Sequence, residues 1–138
     1  MARFRPTEAA TQNPALRLIF EAPARAKPGE PVPLVFTVTN PTDQPITLYL
    51  MGRTPTADFL ISDARGREVW SLRHGETVQA SLQVYPLGAG KTLTFRHRWN
   101  QRANTGMPVP AGSYLGRGIL LTDRPGGLVT PVMKLRIL

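Results

Sequence analysis

Strict two-residue alternation of apolar and polar side chains is the feature that most limits how this chain can fold. Val32, Leu34, Phe36 and Val38 share one parity, and Pro33, Thr37 and Thr39 hold the other. After the turn "NPTDQP", Ile46, Leu48 and Leu50 repeat the pattern. Val78, Ala80, Leu82 and Val84 alternate with Thr77, Gln79, Ser81 and Gln83. Leu93, Phe95, His97 and Trp99 alternate with Thr92, Thr94, Arg96 and Arg98, and Met133, Leu135 and Ile137 with Lys134 and Arg136. A period of two puts successive side chains on opposite faces of a strand, so each run has one buried and one wet face.

Leu16 to Phe20 and Tyr114 to Leu121 supply two further strands, and no segment of ten or more residues carries a helical period. About eight or nine short strands separated by turns predict an all-β fold, an immunoglobulin-like antiparallel β-sandwich. Its interior should hold Phe36, Leu48, Phe59, Leu82, Phe95 and Trp99. The sequence divides into a loose N-terminal arm over residues 1–14 and a single sandwich domain over 15–138.

The stretch "ADFLISDARGREVWSL", Ala57 to Leu72, reads as a hairpin. Phe59 and Ile61 share a strand face. Asp63 can bond its own downstream backbone at a turn start, and Gly66 can adopt a positive φ, which fits a type I turn closed by a glycine bulge. Trp70 then caps the core, at least half buried and with its N–H partnered.

Composition narrows the class. Of 138 residues 41% are hydrophobic, enough for a real core. The 14 prolines and 12 glycines fall between the apolar runs, as turn punctuation. No stretch approaches the ~20 apolar residues of a membrane-spanning helix. There is no cysteine, which excludes disulfides and thiolate metal sites and suits a reducing compartment. The start "MARFRPTEAATQNP" has no apolar signal region, so the reading is cytoplasmic. A secreted form trimmed to begin at an added Met would look the same. The net charge is +8, almost all from arginine spread along the chain. An arginine-rich genome explains it most simply; steering toward an acidic partner is the functional alternative.

The residues give no catalytic or metal site. A hydrolytic triad would need His74 or His97 as base, and no nucleophile elbow surrounds Ser62, Ser71, Ser81 or Ser113. His97 reads instead as a core-edge histidine with a bonded ring nitrogen. Asp58, Asp63 and Glu68 bracket the hairpin, where turn capping accounts for them better than calcium does. "GAGK", Gly88 to Lys91, lacks phosphate-loop spacing and precedes a strand. Arg96 and Arg98 form an outer-face pair, but Phe95 and Trp99 point the other way, so no nucleic-acid platform results. The reading is a protein without cofactor, metal, nucleic-acid or membrane partner, and its oligomeric state is not legible.

Several motifs occur in a telling order: Gly29-Glu30, Asn40 to Thr42, Asp58-Phe59, Gly66 to Trp70, Gln79, Trp99, and Pro110 to Tyr114. Over roughly residues 29 to 121 the chain resembles the BsuPI family, the intracellular proteinase inhibitors of bacilli and related bacterial domains. The resemblance implies an all-β sandwich that is not an enzyme but binds and inhibits an intracellular subtilisin-like serine protease, and the charge of +8 suits an acidic one. The alternative is an immunoglobulin-like accessory module without inhibitory activity.

A protease cleft accepts a protruding, extended segment. The longest connection, Asn100 to Gly112, is the first candidate, with Pro108 and Pro110 stiffening its second half. The candidate contact residues are Gln101, Arg102, Ala103, Asn104, Thr105, Gly106 and Met107. The shorter "MGRTP" loop is second, through Arg53 and Thr54.

Overall fold

The computed structural model describes residues 15–77 and 81–138. The arm over 1–14, and Val78 and Ala80 of the third alternating run, lie outside these. The strands are β1 (Arg17–Glu21), β2 (Arg25–Ala26), β3 (Val32–Thr39), β4 (Ile46–Met51), β5 (Ala57–Asp63) and β6 (Glu68–Ser71), then β7 (Leu82–Leu87), β8 (Thr92–Trp99), β9 (Gly112–Leu120), β10 (Leu128–Val129) and β11 (Met133–Ile137). Nine of them have four or more residues, as the alternation predicts.

One sheet has the order β1-β3-β8 and the other β2-β11-β9-β5-β6, with β10 beside β9. All pairs are antiparallel except β2 with β11. A third, two-stranded ribbon, β4-β7, leads off the β3/β8 pair through two turns. Buried Asn40 ties those turns together. Its Nδ2 donates to the carbonyls of Gln44 and Leu87, at 2.7 and 2.9 Å, while its Oδ1 accepts from the backbone N–H and hydroxyl of Thr42. A buried amide is tolerated because its bonds are made.

The core lies between the two larger sheets. Phe36, Leu34, Val32 and Val38 of β3 are fully buried, as are Phe59 and Ile61 of β5 and Trp99 of β8. The sheets meet closely because β9 places glycines inward. A Cβ on Gly116 would sit 2.7 Å from the Phe20 ring, and one on Gly118 2.5 Å from Phe36. The small positions of one sheet thus seat the large rings of the other. At the entry to β9 the Tyr114 hydroxyl donates to the Pro110 carbonyl. This tyrosine-corner bond is a recurrent device of immunoglobulin-like sandwiches.

Leu82 corrects one expectation. It is 56% exposed, and Val84 is 61% exposed. Cross-strand partners share a face, and β7 pairs Tyr85 with Leu48 and Gln83 with Leu50. Once Leu48 and Leu50 turn inward, Gln83, Tyr85 and Leu87 must follow, and Leu82 and Val84 must point out. Phe95 is only partly buried, stacked on Phe36 with centroids 5.6 Å apart.

Candidate functional site

The Asn100 to Gly112 connection is a compact hairpin with a locked base. Ala103 N–H donates to the Met107 carbonyl at 2.8 Å, Gly106 N–H to Ala103, and Val109 N–H to Gln101. Buried Trp99 donates its indole N–H to the Arg102 carbonyl at 3.0 Å. Gln101, only 3% exposed, takes a left-handed φ of 62°. Its Nε2 donates to the carbonyls of Lys27 and Glu30, and its Oε1 accepts from Gly29 N–H. Those three bonds offset the strain of a non-glycine residue in that region.

Asn104 ties the hairpin to strand β6. Its backbone N–H donates to the Val69 carbonyl, its Oδ1 accepts from Ser71 N–H, and its Nδ2 reaches Glu68 at 2.7 Å. The hairpin thereby covers the outer edge of β6, which would otherwise present unpaired backbone groups. So two of the candidate contact residues, Gln101 and Asn104, face the body of the protein. Arg102, Thr105, Gly106 and Met107 are exposed, and Ala103 is partly so. Met107 stands out with 66% exposure. The Arg102 guanidinium folds back onto the Gly106 carbonyl at 2.8 Å and braces the tip. Replacing Gln101 by Ala should cost about 1–3 kcal/mol, because Gly29 N–H and the Glu30 carbonyl lose their partner, while the Lys27 carbonyl keeps only the Glu30 N–H. Chemical denaturation of the variant checks this.

Arg53 and Thr54 are exposed too, but at the opposite end. Their loop enters β5 at Ala57, paired with Leu120, whereas the hairpin enters β9 beside Tyr114, paired with Asp63. Six residues of strand, about 20 Å, separate those positions. The two candidate loops are therefore separate surfaces.

Beside the hairpin lies an open cleft of about 260 Å³, lined by Trp70, His74, Arg102 and Asn104 among others. Trp70 is partly buried, as expected, and stacks on His97 at 5.6 Å, with Trp99 at 5.8 Å. Its N–H makes no hydrogen bond to protein among the described residues, contrary to expectation, because the ring's partners are aromatic faces. His97 lies between Trp70 and Phe59 and, among the described residues, has no bonded ring nitrogen either. Burial lowers its pKa, with Arg73 adding to the effect. The folded state thus takes up its proton at lower pH than the unfolded state. Stability should fall as pH drops below the ordinary histidine value of about 6.5, down to the depressed folded value. His97→Gln should flatten that part of a stability–pH curve.

The hairpin carboxylates are used locally. Asp63 Oδ1 accepts from the backbone of Arg65 and Arg67 at the predicted turn, where Gly66 has φ 84°, and these bonds, led by that from Arg67, lower its pKa. Asp58 accepts from Phe59 and Arg73 N–H, yet burial raises its pKa. Among the described residues no three histidine, aspartate or glutamate side chains gather as a metal site.

Fold and surface together define an immunoglobulin-like β-sandwich whose 100–109 hairpin is braced at its base and exposed at its tip. The BsuPI family model, described as intracellular proteinase inhibitor, matches residues 21–124, and the chain belongs to that family. No curated protein matches the sequence significantly. Among solved structures, the chain is similar to an alkylpurine DNA glycosylase from Pseudomonas fluorescens bound to DNA containing an abasic site analog. The identity is 18% and the TM-score 0.52, over 90% of this chain and 30% of that one. A β-glucosidase from Listeria innocua gives 15% identity and a TM-score of 0.49, over 88% of this chain and 16% of that one. The CARDB domain of a Pyrococcus furiosus protein, in complex with di-metal ions, gives 10% and 0.47, over 89% and 87%. The chain thus spans less than a third of the glycosylase and of the glucosidase, and at 18% identity the likeness to the glycosylase concerns the fold alone. No helix among the described residues is long and apolar enough to cross a membrane.

Proposed function

We propose that the protein is a non-catalytic inhibitor of a cytoplasmic, subtilisin-like serine protease, and that its contact is the exposed tip of the 100–109 hairpin. The observation that carries this is the contrast within one loop. Trp99, Gln101 and Asn104 lock its base, while Met107 protrudes 66% exposed. A segment already held in shape loses little entropy on binding, so more of its contact energy appears as affinity. Met107 is the apolar side chain for a greasy specificity pocket. Arg102, Ala103, Thr105 and Gly106 flank it, and the Arg53-Thr54 loop is the second candidate.

The net charge of +8 suits an acidic protease. The test is binding to a subtilisin-like protease whose nucleophilic serine is replaced by alanine, which leaves the cleft open. A stable complex is expected, since the contact needs no covalent step, and its on-rate should fall as salt rises. Failure to bind sinks the reading. Binding with a salt-independent on-rate removes only the electrostatic part.

A further inference from the structure

We propose that β7 is a self-association edge, at which a second copy of the chain pairs its own β7 antiparallel to form a four-stranded β4-β7-β7-β4 sheet. This surface is separate from the hairpin proposed above.

Three observations meet there. The first is backbone direction. Gly52 N–H donates to the Ser81 carbonyl, and antiparallel bonding pairs recur every second residue. Gln83, Tyr85 and Leu87 therefore bond to β4. Leu82 and Val84 aim their N–H and C=O groups away from it, and Pro86 its C=O. The bonds of β4 agree, because Met51 and Tyr49 turn their backbone groups to Leu121 and Asp123 on the other side. Among the described residues no strand takes the outer edge of β7.

The second observation is apolar exposure. The outward face carries Tyr49, Leu82 and Val84, exposed by 49%, 56% and 61%. Tyr49 and Val84 are direct partners. Together they form a patch on the order of a few hundred Å², the size at which exposed apolar surface marks an interaction site.

The third is charge. Neither β4 (ITLYLM) nor β7 (LQVYPL) contains a charged residue. Elsewhere the outer faces carry Arg17, Arg96, Arg98, Lys134 and Arg136. With +8 on each chain, two copies meet the least repulsion across this ribbon, and depletion of charge is what distinguishes interface cores.

The second copy fits because the edge is self-complementary. In antiparallel pairing Leu82 faces Val84 of the other copy, and each such pair exchanges two backbone bonds. Pro86 lacks an N–H and ends the ladder, as edge prolines do. The two-fold pairing uses up both edges, so it closes at a dimer. Its area is below that of a standard stable interface, so the dimer is weak.

The test is sedimentation equilibrium from about 10 μM to about 1 mM, the range in which weak complexes dissociate, combined with amide exchange. Weight-average mass should rise from 15.2 kDa toward twice that value. Exchange at the Leu82 and Val84 amides should slow as concentration rises, while that at Gln83 stays constant. Val84→Lys should remain monomeric throughout, and Leu82→Lys serves if that variant fails to fold. A wild-type chain monomeric at 15.2 kDa over the whole range overturns the proposal. So does dimerisation that Val84→Lys and Leu82→Lys leave unchanged, which would place the interface elsewhere.

Discussion

Replacing Phe36 by Ala should lower the unfolding free energy by ~3–5 kcal/mol, a large part of the ~5–15 kcal/mol that holds a domain together. Phe36 has no exposed surface, packs on Phe95 in its own sheet and presses on the backbone of Gly118 in the other. The converse change, Gly118→Ala, should also destabilise, by about 1–3 kcal/mol, because the new methyl meets the Phe36 ring at 2.5 Å. The atoms met are Cγ, Cδ2 and Cβ of Phe36, the root of the side chain and not its tip, so a rotation of the ring alone does not clear them. The two effects should not add. Shortening Phe36 removes the Cγ and Cδ2 contacts at 2.5 and 2.8 Å but leaves the Cβ contact at 2.9 Å, so the clash is relieved in part and the double variant should be more stable than the sum of the singles predicts. Urea titrations of the four proteins measure this as shifts in midpoint at constant slope. A harmless Gly118→Ala would mean that the sheets do not meet as described.

How much of this was legible follows from range in sequence. Alternation is a local property, and it located β3, β4, β8 and β11 because each carries its own period. The Asp63 to Gly66 turn was readable for the same reason, as its bonds span two to four residues. For Leu82 the local alternation predicts an interior position, and the pairing of β7 overrides it. Only the register with Leu48 and Leu50 reveals that an uncharged, apolar parity faces outward. Gln101 was unreadable as an anchor, since its partners Lys27, Gly29 and Glu30 are 71–74 residues away. Nothing in "NQRANTG" marks which side chains turn in. Asn104 reached Ser71 and Glu68 across 33 and 36 residues in the same way. Inward and outward residues of the loop separate only when β6 is in place beside it. The separation of Arg53 from Met107 likewise depends on the β5/β9 register.

Met107→Asp should weaken inhibition ~30-fold or more. A side chain that fills a specificity pocket is a hot spot worth at least ~2 kcal/mol, and each ~1.4 kcal/mol is a factor of ten. A carboxylate in an apolar pocket would also lose its hydration without a partner. The fold should be indifferent, because Met107 is 66% exposed and holds the hairpin through its backbone. Arg53→Ala, at the far end, should inhibit as the parent does. If Arg53→Ala weakens inhibition and Met107→Asp does not, the contact belongs to the Met51 to Pro55 loop. Replacing the whole stretch Gln101 to Met107 would be a poor test, since it also removes the Gln101 and Asn104 anchors.

Inhibition of a subtilisin-like serine protease is the proposed function, and its most direct measurement is residual protease activity as the purified protein is titrated in. Activity should fall in proportion to added protein and reach a floor near one molecule per active site, while Met107→Asp displaces the curve to higher concentration. Full protease activity in the presence of a large excess of folded protein would contradict the claim.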